Sequence, residues 1–538
     1  MSGAAAGRRV LLYDATLREG AQAEGISFSA SGKLRVARLL DAFGVDYVEG
    51  GFVSSNPKDE AFFRSLRDEP LARARLVAFG MTCRAGKNAA RDPGLRALAA
   101  CGAPAVALVG KAAAWQVRSV LRTTAKENLR LVRDSVDFLK QAGREVLFDA
   151  EHFFDGFAEN PDAAIAVLAA ALGAGADAAV LCDTNGGTLP DEIAAAVRTV
   201  RHTFPDARLG IHAHNDCGLA LANTLRAIGE GAELAQATVN GYGERAGNAD
   251  FCALLPVLAL KLGREAACAA SLPRLTALSR EIDEAAGQRP DARRPFVGEG
   301  VFAHKAGLHV DGVGKAPKSF EQIDPAAVGN HRRVLVSELS GTGGVSLKAG
   351  ELGYGFGKHS AAARDVLRRL SELEADGYAF EAADASFQLL VEKVLHRHRP
   401  FFTLEGFSVV VQKRSAGSPA TTTATIKVRV GGQTELTAGE GVGPVDALNA
   451  ALRKVLHRFY PAVDAVVLED FNVRILDPET ATGAETRVRI DSSDGTHHWG
   501  TVGVSANIIE ASWQALVDSV EYKLLLDGAE AVGKKRKS

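Results

Sequence analysis

What the chain lacks narrows the possibilities first. It has no excess of either charge: 63 Lys and Arg against 65 Asp and Glu leave a formal net charge of −2. That removes the electrostatic case for nucleic acid or an anionic membrane as partner. No apolar run approaches the ~20 residues that span a bilayer. The opening stretch, Met1 to Arg9, is too short and too polar for a secretory signal. Cysteine is scarce and scattered over Cys83, Cys101, Cys182, Cys217, Cys252 and Cys268, with no Cys-x-x-Cys pair. This reads as reduced thiols in a cytoplasmic protein, not as a disulfide framework. The basic tail, Lys534 to Lys537, reads as a solvated charge run.

What is present is a repeat of β-like and helical stretches. A chain of 538 residues with 46% hydrophobic and 24% charged residues holds two or three globular domains. Up to about residue 265, eight short β-like runs alternate with helical patterns. They are Arg9–Asp14, Tyr47–Gly51, Arg75–Phe79, Ala105–Val109, Glu145–Asp149, Ala178–Asp183, Ala207–His212 and Glu233–Val239. Their spacing is that of βα units. Lys33–Phe43, Asn128–Leu139 and Pro190–Val200 read as helices between them. In the first, Leu34, Ala37, Leu40 and Ala42 form one side and Gly44 stands where a C-cap belongs. Eight units predict a closed (β/α)8 TIM barrel, with a doubly wound sheet as the alternative.

A barrel of this kind gathers its chemistry at the C-terminal ends of its strands. Polar residues stand at those ends: Asp14, Arg18 and Glu19 after strand one, Glu49, Lys111, Glu151, Asp183 and Thr184, and Asn240, Glu244 and Asn248 after strand eight. Strand seven runs into His212-Ala-His-Asn-Asp216. Residues two apart on a strand share a side, so His212 and His214 present two imidazoles together, a pattern suited to a transition metal. Glu49 and Lys111 read as ordinary loop residues.

Asp14-Ala-Thr-Leu-Arg-Glu-Gly-Ala-Gln22 resembles the first-strand signature of the acyl-CoA-condensing synthases of the metal-dependent barrels, which make 2-isopropylmalate, homocitrate or citramalate. His212 to Asp216 and Gly241 to Asn248 are similar to the family's seventh- and eighth-strand signatures, and the likeness continues through Phe302 to Asp311 and nearly to the end. The resemblance implies a divalent metal, Mg²⁺, Mn²⁺ or Zn²⁺, held by Glu19, His212, His214 and Asn248. It implies that Arg18 and Thr184 bind the 2-oxo acid. It implies that His309 removes a proton from acetyl-CoA, with Glu151 and Glu244 as acidic partners. It makes Asp14 a structural hydrogen-bonding residue and His304 a structural histidine.

The remainder divides in two. Residues 286–398 mix short helices with glycine-rich connections and resemble the family's small α-rich linker subdomains, which follow a barrel of residues 1–285. In Val391–Arg399, His396 and His398 read as a solvated helix end. From 399 to 530, β-like Phe407–Gln412 and Thr425–Val430 precede the helix Pro444–Phe459. Then Asp470–Leu476 and Thr486–Ile490 precede Asn507–Leu526. This is a βββα pseudo-repeat, an α+β domain that resembles the family's regulatory and dimerisation domain. The resemblance implies a homodimer and an end-product amino acid as inhibitor. The loops Gly439–Gly443 and Gly500–Val504, with Gly441, Gly443 and Gly503, are its expected contacts.

Gly25 to Ser29 and Glu49 to Asp59 resemble the citramalate branch. The implied activity is an acyl transfer joining acetyl-CoA to pyruvate to give (R)-citramalate, with isoleucine as feedback inhibitor. The alternatives are 2-isopropylmalate or homocitrate synthesis, a lyase of the same barrel, and a non-catalytic amino-acid-binding regulator.

Overall fold

The structure is a computed structural model that describes residues 9–529 apart from 54–56, 306, 478 and 480–482. The basic tail lies outside the described residues. Contacts divide the chain into two compact units, residues 1–302 with 323–331, and residues 303–322 with 332–538.

The first unit is the barrel. Eight parallel strands close in sequence order: β1 (Leu11–Asp14), β2 (Tyr47–Phe52), β3 (Arg75–Met81), β4 (Ala105–Lys111), β5 (Glu145–Glu151), β6 (Ala178–Asp183), β7 (Leu209–Ala213) and β8 (Leu234–Ala237). β8 pairs with β1 from Leu11↔Leu234 to Asp14↔Ala237, which closes the sheet and leaves no free edge. Parallel strands covered on both faces are apolar throughout, and β6 is buried along its whole length. Tyr13, Tyr47, Val77, Leu147, Val180 and Leu234 fill the inside.

The helices follow their capping signals. In Ala30–Phe43, the Ser29 side chain accepts from Gly32 N at 3.0 Å, and Gly44 ends the helix at φ 97°. Its buried side is Val36, Ala37, Leu40 and Phe43. Ala42 is exposed, so the expected stripe was rotated: the bulky Val36 and Phe43 take the core and the small Ala42 is left to solvent. Beyond the helix Leu275–Ala285, Phe296, Val297, Phe302 and Val328 still pack on the barrel's core.

The second unit opens with the short parallel pair β9 (Ala303–His304) and β10 (Arg333–Val334) and four helices, Gly307–Lys315, Gly341–Glu351, Ala361–Ala375 and Asp384–Val394. Two antiparallel three-stranded sheets follow. β11 (Thr403–Gln412), β12 (Thr421–Val430) and β13 (Gln433–Gly441) lie under the helix Pro444–Leu456. β14 (Val467–Ile475), β15 (Thr486–Ser493) and β16 (His498–Ser505) lie under Ile508–Leu526. The βββα repeat is therefore present twice. The helix Asp384–Val394 packs on Ile508–Leu526 and on β16. His398 is not solvated as expected: its Nε2 lies 2.9 Å from Oε2 of buried Glu521.

The glycine segments expected as loops are mostly strand. Gly439 and Gly441 lie in β13 and Gly500 to Val504 lie in β16; Gly443 precedes the helix Pro444–Leu456. Their glycines serve close strand–helix packing. A Cβ on Gly439 or Gly441 would come within 2.5 Å of Ala451 N or Ala447 N, and one on Gly503 would overlap Ala511 O. No helix among the described residues is long and apolar enough to cross a membrane. None of the six cysteines is in a disulfide.

Gly503→Ala should force the last helix off β16 and cost about 1–3 kcal/mol, as overpacking does. Urea denaturation should show the loss. Wild-type stability would contradict the packing role.

Candidate metal centre

Strand ends deliver the donor groups. Parallel pairing sets Cys182 beside His212 and Asp183 beside Ala213. It places His212 and His214 on one side of the β7 end, their Nε2 atoms 3.3 Å apart. After β8 the chain turns back: His214 and Asn248 form an isolated antiparallel bridge, with Asn215 N donating to Gly247 O at 2.9 Å and Ala249 N to Ala213 O at 3.1 Å. This holds the Asn248 amide at the histidines, its Nδ2 3.2 Å from His212 Nε2. Barrel closure supplies the carboxylate, with Glu19 Oε1 3.5 Å from His214 Nε2. Glu19, His212 and His214 are all buried and their ligand atoms lie within 4.8 Å of one another. Among the described residues, no other group of three His, Cys, Asp or Glu is so arranged.

These residues fit a divalent ion. Asn248 Oδ1 is buried without a hydrogen-bond partner, and an orphaned carbonyl oxygen beside two imidazoles is a ligand in waiting. Turning the amide about its last bond exchanges Oδ1 with Nδ2 and aims the oxygen at the cluster. Gly243 leaves the room, since a Cβ there would overlap Oδ1. Burial, then the neighbouring His212, push His214 down to about 3. Burial also lowers His212. Both rings are thus neutral and able to ligate. Burial alone would raise Glu19, but the neighbouring Arg18 guanidinium more than offsets it and holds it ionised.

The surrounding charge also favours a cation. Arg18 is nearly buried, ion-paired through Nη1 with Glu19 and through Nε with Glu49 at 3.0 Å, and its guanidinium lies 4.0 Å over the Phe79 ring. Burial would lower Arg18, but Glu49 and Glu19 reverse this and lock the charge in. Burial pushes Asp149 up to about 7, and Glu49 adds to the shift. Glu19, Glu49 and Asp149 thus gather carboxyl groups around Arg18.

The other expected residues are placed as follows. Thr184 Oγ1 accepts from His152 N at 2.8 Å, which leaves its proton to donate. Glu151 pairs with Lys111. Glu244 is exposed, 3.8 Å from Arg245. His309 lies in the second unit, exposed on the helix Gly307–Lys315, its ring stacked 4.0 Å from Phe320. Asp14 has both oxygens engaged by Thr16, at 3.0 and 2.9 Å. His304 is buried against Glu321 at 3.1 Å.

Two residues read as ordinary loop positions belong to this mouth. Glu49 is fully buried against Arg18, and Lys111 is the register partner of Glu151 on the neighbouring strand. Lys111 ends β4 whereas Glu49 lies inside β2, and the partners of both come from elsewhere in the barrel and were not visible. Gln236, inside an apolar β8 run, gave no signal at all.

Residues 9–281 match the family described as HMGL-like, 296–377 the homocitrate synthase post-HMGL domain-like family, and 381–524 the LeuA allosteric (dimerisation) domain. The chain is 46% identical over 515 residues to the (R)-citramalate synthase of Geobacter sulfurreducens, covering 96% of this chain and 97% of that one. It is 44% identical over 524 residues to that of Aquifex aeolicus, covering 97% and 99%. It is 46% identical over 525 residues to that of a Synechocystis species, covering 96% of each.

Because the Asn248 amide needs the space beside Gly243, Gly243→Ala and Asn248→Ala should both weaken Mn²⁺ binding, by at least about tenfold, the lower bound for disturbing a ligand's support. Calorimetric titration of the folded variants measures this. A Gly243→Ala protein with wild-type affinity would contradict the packing argument.

Proposed function

The chain belongs to the (R)-citramalate synthases, acyltransferases that carry a LeuA allosteric dimerisation domain, and from that premise we propose that it joins acetyl-CoA, pyruvate and water into (R)-citramalate and CoA. The observation that carries the reading is the buried Glu19, His212 and His214 cluster at a mouth where Arg18 is held by two carboxylates.

The proposed ion is Mg²⁺ or Mn²⁺, with Zn²⁺ the alternative, and Glu19, His212, His214 and Asn248 would hold it. When bound it supplies Lewis acidity toward the carbonyl of a 2-oxo acid. The protein's own groups do the rest. The Thr184 hydroxyl donates to the pyruvate carboxylate. Arg18, fixed through Nε and Nη1, donates to the keto oxygen as it gains charge. His309 accepts a methyl proton of acetyl-CoA, with Glu151 and Glu244 as acidic partners. The carbon left behind forms the new bond to the keto carbon of pyruvate, whose oxygen becomes the hydroxyl. Water then cleaves the thioester, giving the second carboxylate and the CoA thiol.

The proposed division is a catalytic barrel of residues 1–285, linker subdomains of 286–398 and a regulatory part of 399–530. The chain acts as a homodimer, and isoleucine is its proposed inhibitor. Gly441, Gly443 and Gly503 are the proposed contacts, Gly441 and Gly443 at the entry to the helix Pro444–Leu456.

Free-thiol release from acetyl-CoA with a panel of 2-oxo acids tests the substrate. Pyruvate should give the highest kcat/KM, and isoleucine should lower the rate. A preference for 2-oxoisovalerate or 2-oxoglutarate would replace the reading with 2-isopropylmalate or homocitrate synthesis. Isoleucine-indifferent turnover would remove the regulatory assignment.

Arg18→Lys keeps the charge but loses the fork. It should lower kcat by roughly 10²–10³, the usual loss for one donor to a developing oxyanion. Near-normal kcat in steady-state assays would refute the geometric role.

A further inference from the structure

The two nitrogens of His212 face different surroundings. Nε2 lies within the donor cluster, 3.3 Å from His214 Nε2 and 3.2 Å from the Asn248 amide. Nδ1 lies 2.7 Å from Gln236 Oε1 on the other side of the ring. A carboxamide oxygen only accepts. Nδ1 must therefore carry the proton, and Nε2 is left with the lone pair a cation needs.

The argument depends on which end of the Gln236 amide faces the ring, and that end is fixed from behind. Gln236 Nε2 donates to Asp149 Oδ1 at 3.0 Å. Burial pushes Asp149 up to about 7, and in its ionised form it only accepts, so it takes the NH₂ end and turns the oxygen to His212. The backbone sets the rest: His212 and Gln236 are register partners on β7 and β8, and Asp149 stands on β5 of the same closed barrel. All three side chains are buried, at 3% exposure for Asp149, 1% for Gln236 and 5% for His212, so no solvent substitutes for a lost partner.

We propose that Asp149 and Gln236 are positioning residues for the metal ligand His212. Asp149 orients the Gln236 amide, the amide fixes the imidazole tautomer, and the tautomer aims Nε2 at the ion. The inference rests on the divalent-ion reading of the Glu19, His212 and His214 cluster. Neither residue is assigned a part in the reaction; their effect falls on how tightly the ion is held.

The test uses the full chain and Mn²⁺ alone, titrated calorimetrically into wild type, Gln236→Leu, Asp149→Asn, Asp149→Ala and His212→Ala. Supporting partners of ligating histidines are worth about 10–100-fold in metal affinity, and Gln236→Leu should lose that much. Asp149→Asn can donate as well as accept and no longer selects an amide end, so it should lose affinity together with Asp149→Ala. Binding by Gln236→Leu within about twofold of wild type, while His212→Ala binds none, would overturn the proposal and leave the ion site standing. Asp149→Asn and Asp149→Ala both binding as tightly as wild type would overturn the role given to Asp149. A wild-type protein that binds no Mn²⁺ would overturn the ion reading itself, and this inference with it. Should Gln236→Leu fail to fold, imidazole ¹⁵N spectra of the wild-type protein give the answer directly. A protonated Nδ1 on His212 is expected, and a protonated Nε2 would contradict the scheme.

Discussion

Everything at the barrel mouth depends on the seam where β8 pairs with β1. Glu19 follows the first strand, His212 and His214 stand at the end of the seventh, and Asn248 lies in the return after the eighth. They meet only because Leu11 to Asp14 hydrogen-bond alongside Leu234 to Ala237 and close the sheet. An open sheet of the same strands would leave the carboxylate at one edge and the imidazoles at the other. Closure is also the route by which a mouth lined from several strands becomes one site.

The seam brings together groups that are costly to bury alone. Arg18 is tolerable because Glu19 and Glu49 flank it and Phe79 lies beneath it. The carboxylates are in turn tolerable only with a compensating charge beside them, and Arg18 is shared between two of them. Buried charge left unpaired is strongly destabilising. A divalent ion at Glu19, His212 and His214 would add positive charge there and give the orphaned Asn248 oxygen a partner. The same charge distribution that asks for the cation also holds Arg18 charged and rigid, as a donor to a developing oxyanion must be.

Much of this was legible in the chain itself, and the failures have identifiable causes. All eight barrel strands follow from apolar runs at βα spacing, because strands buried on both faces admit few polar residues. Strand ends announced Glu19, His212 and His214 because a polar residue there has one face to serve. Pairing across strands is not written locally. Glu49 read as a loop residue because Arg18, its partner, stands in the turn after another strand. Gln236 and Asp149 were silent for the same reason: the partner of each stands on another strand, and its meaning lies in the ring of His212. In the second unit, Gly439, Gly441 and Gly503 suggested loops, since glycine weakens a strand. Close helix packing over β13 and β16 overrides that preference.

The central claim, that barrel closure builds one divalent-ion site from β1, β7 and the return after β8, is tested most directly by anomalous diffraction from crystals grown with Mn²⁺. The account predicts one strong peak per chain, within coordination distance of a Glu19 oxygen, the Nε2 atoms of His212 and His214, and Asn248 Oδ1. A peak that leaves out either histidine, or a fully loaded crystal with its ion elsewhere on the chain, would contradict it.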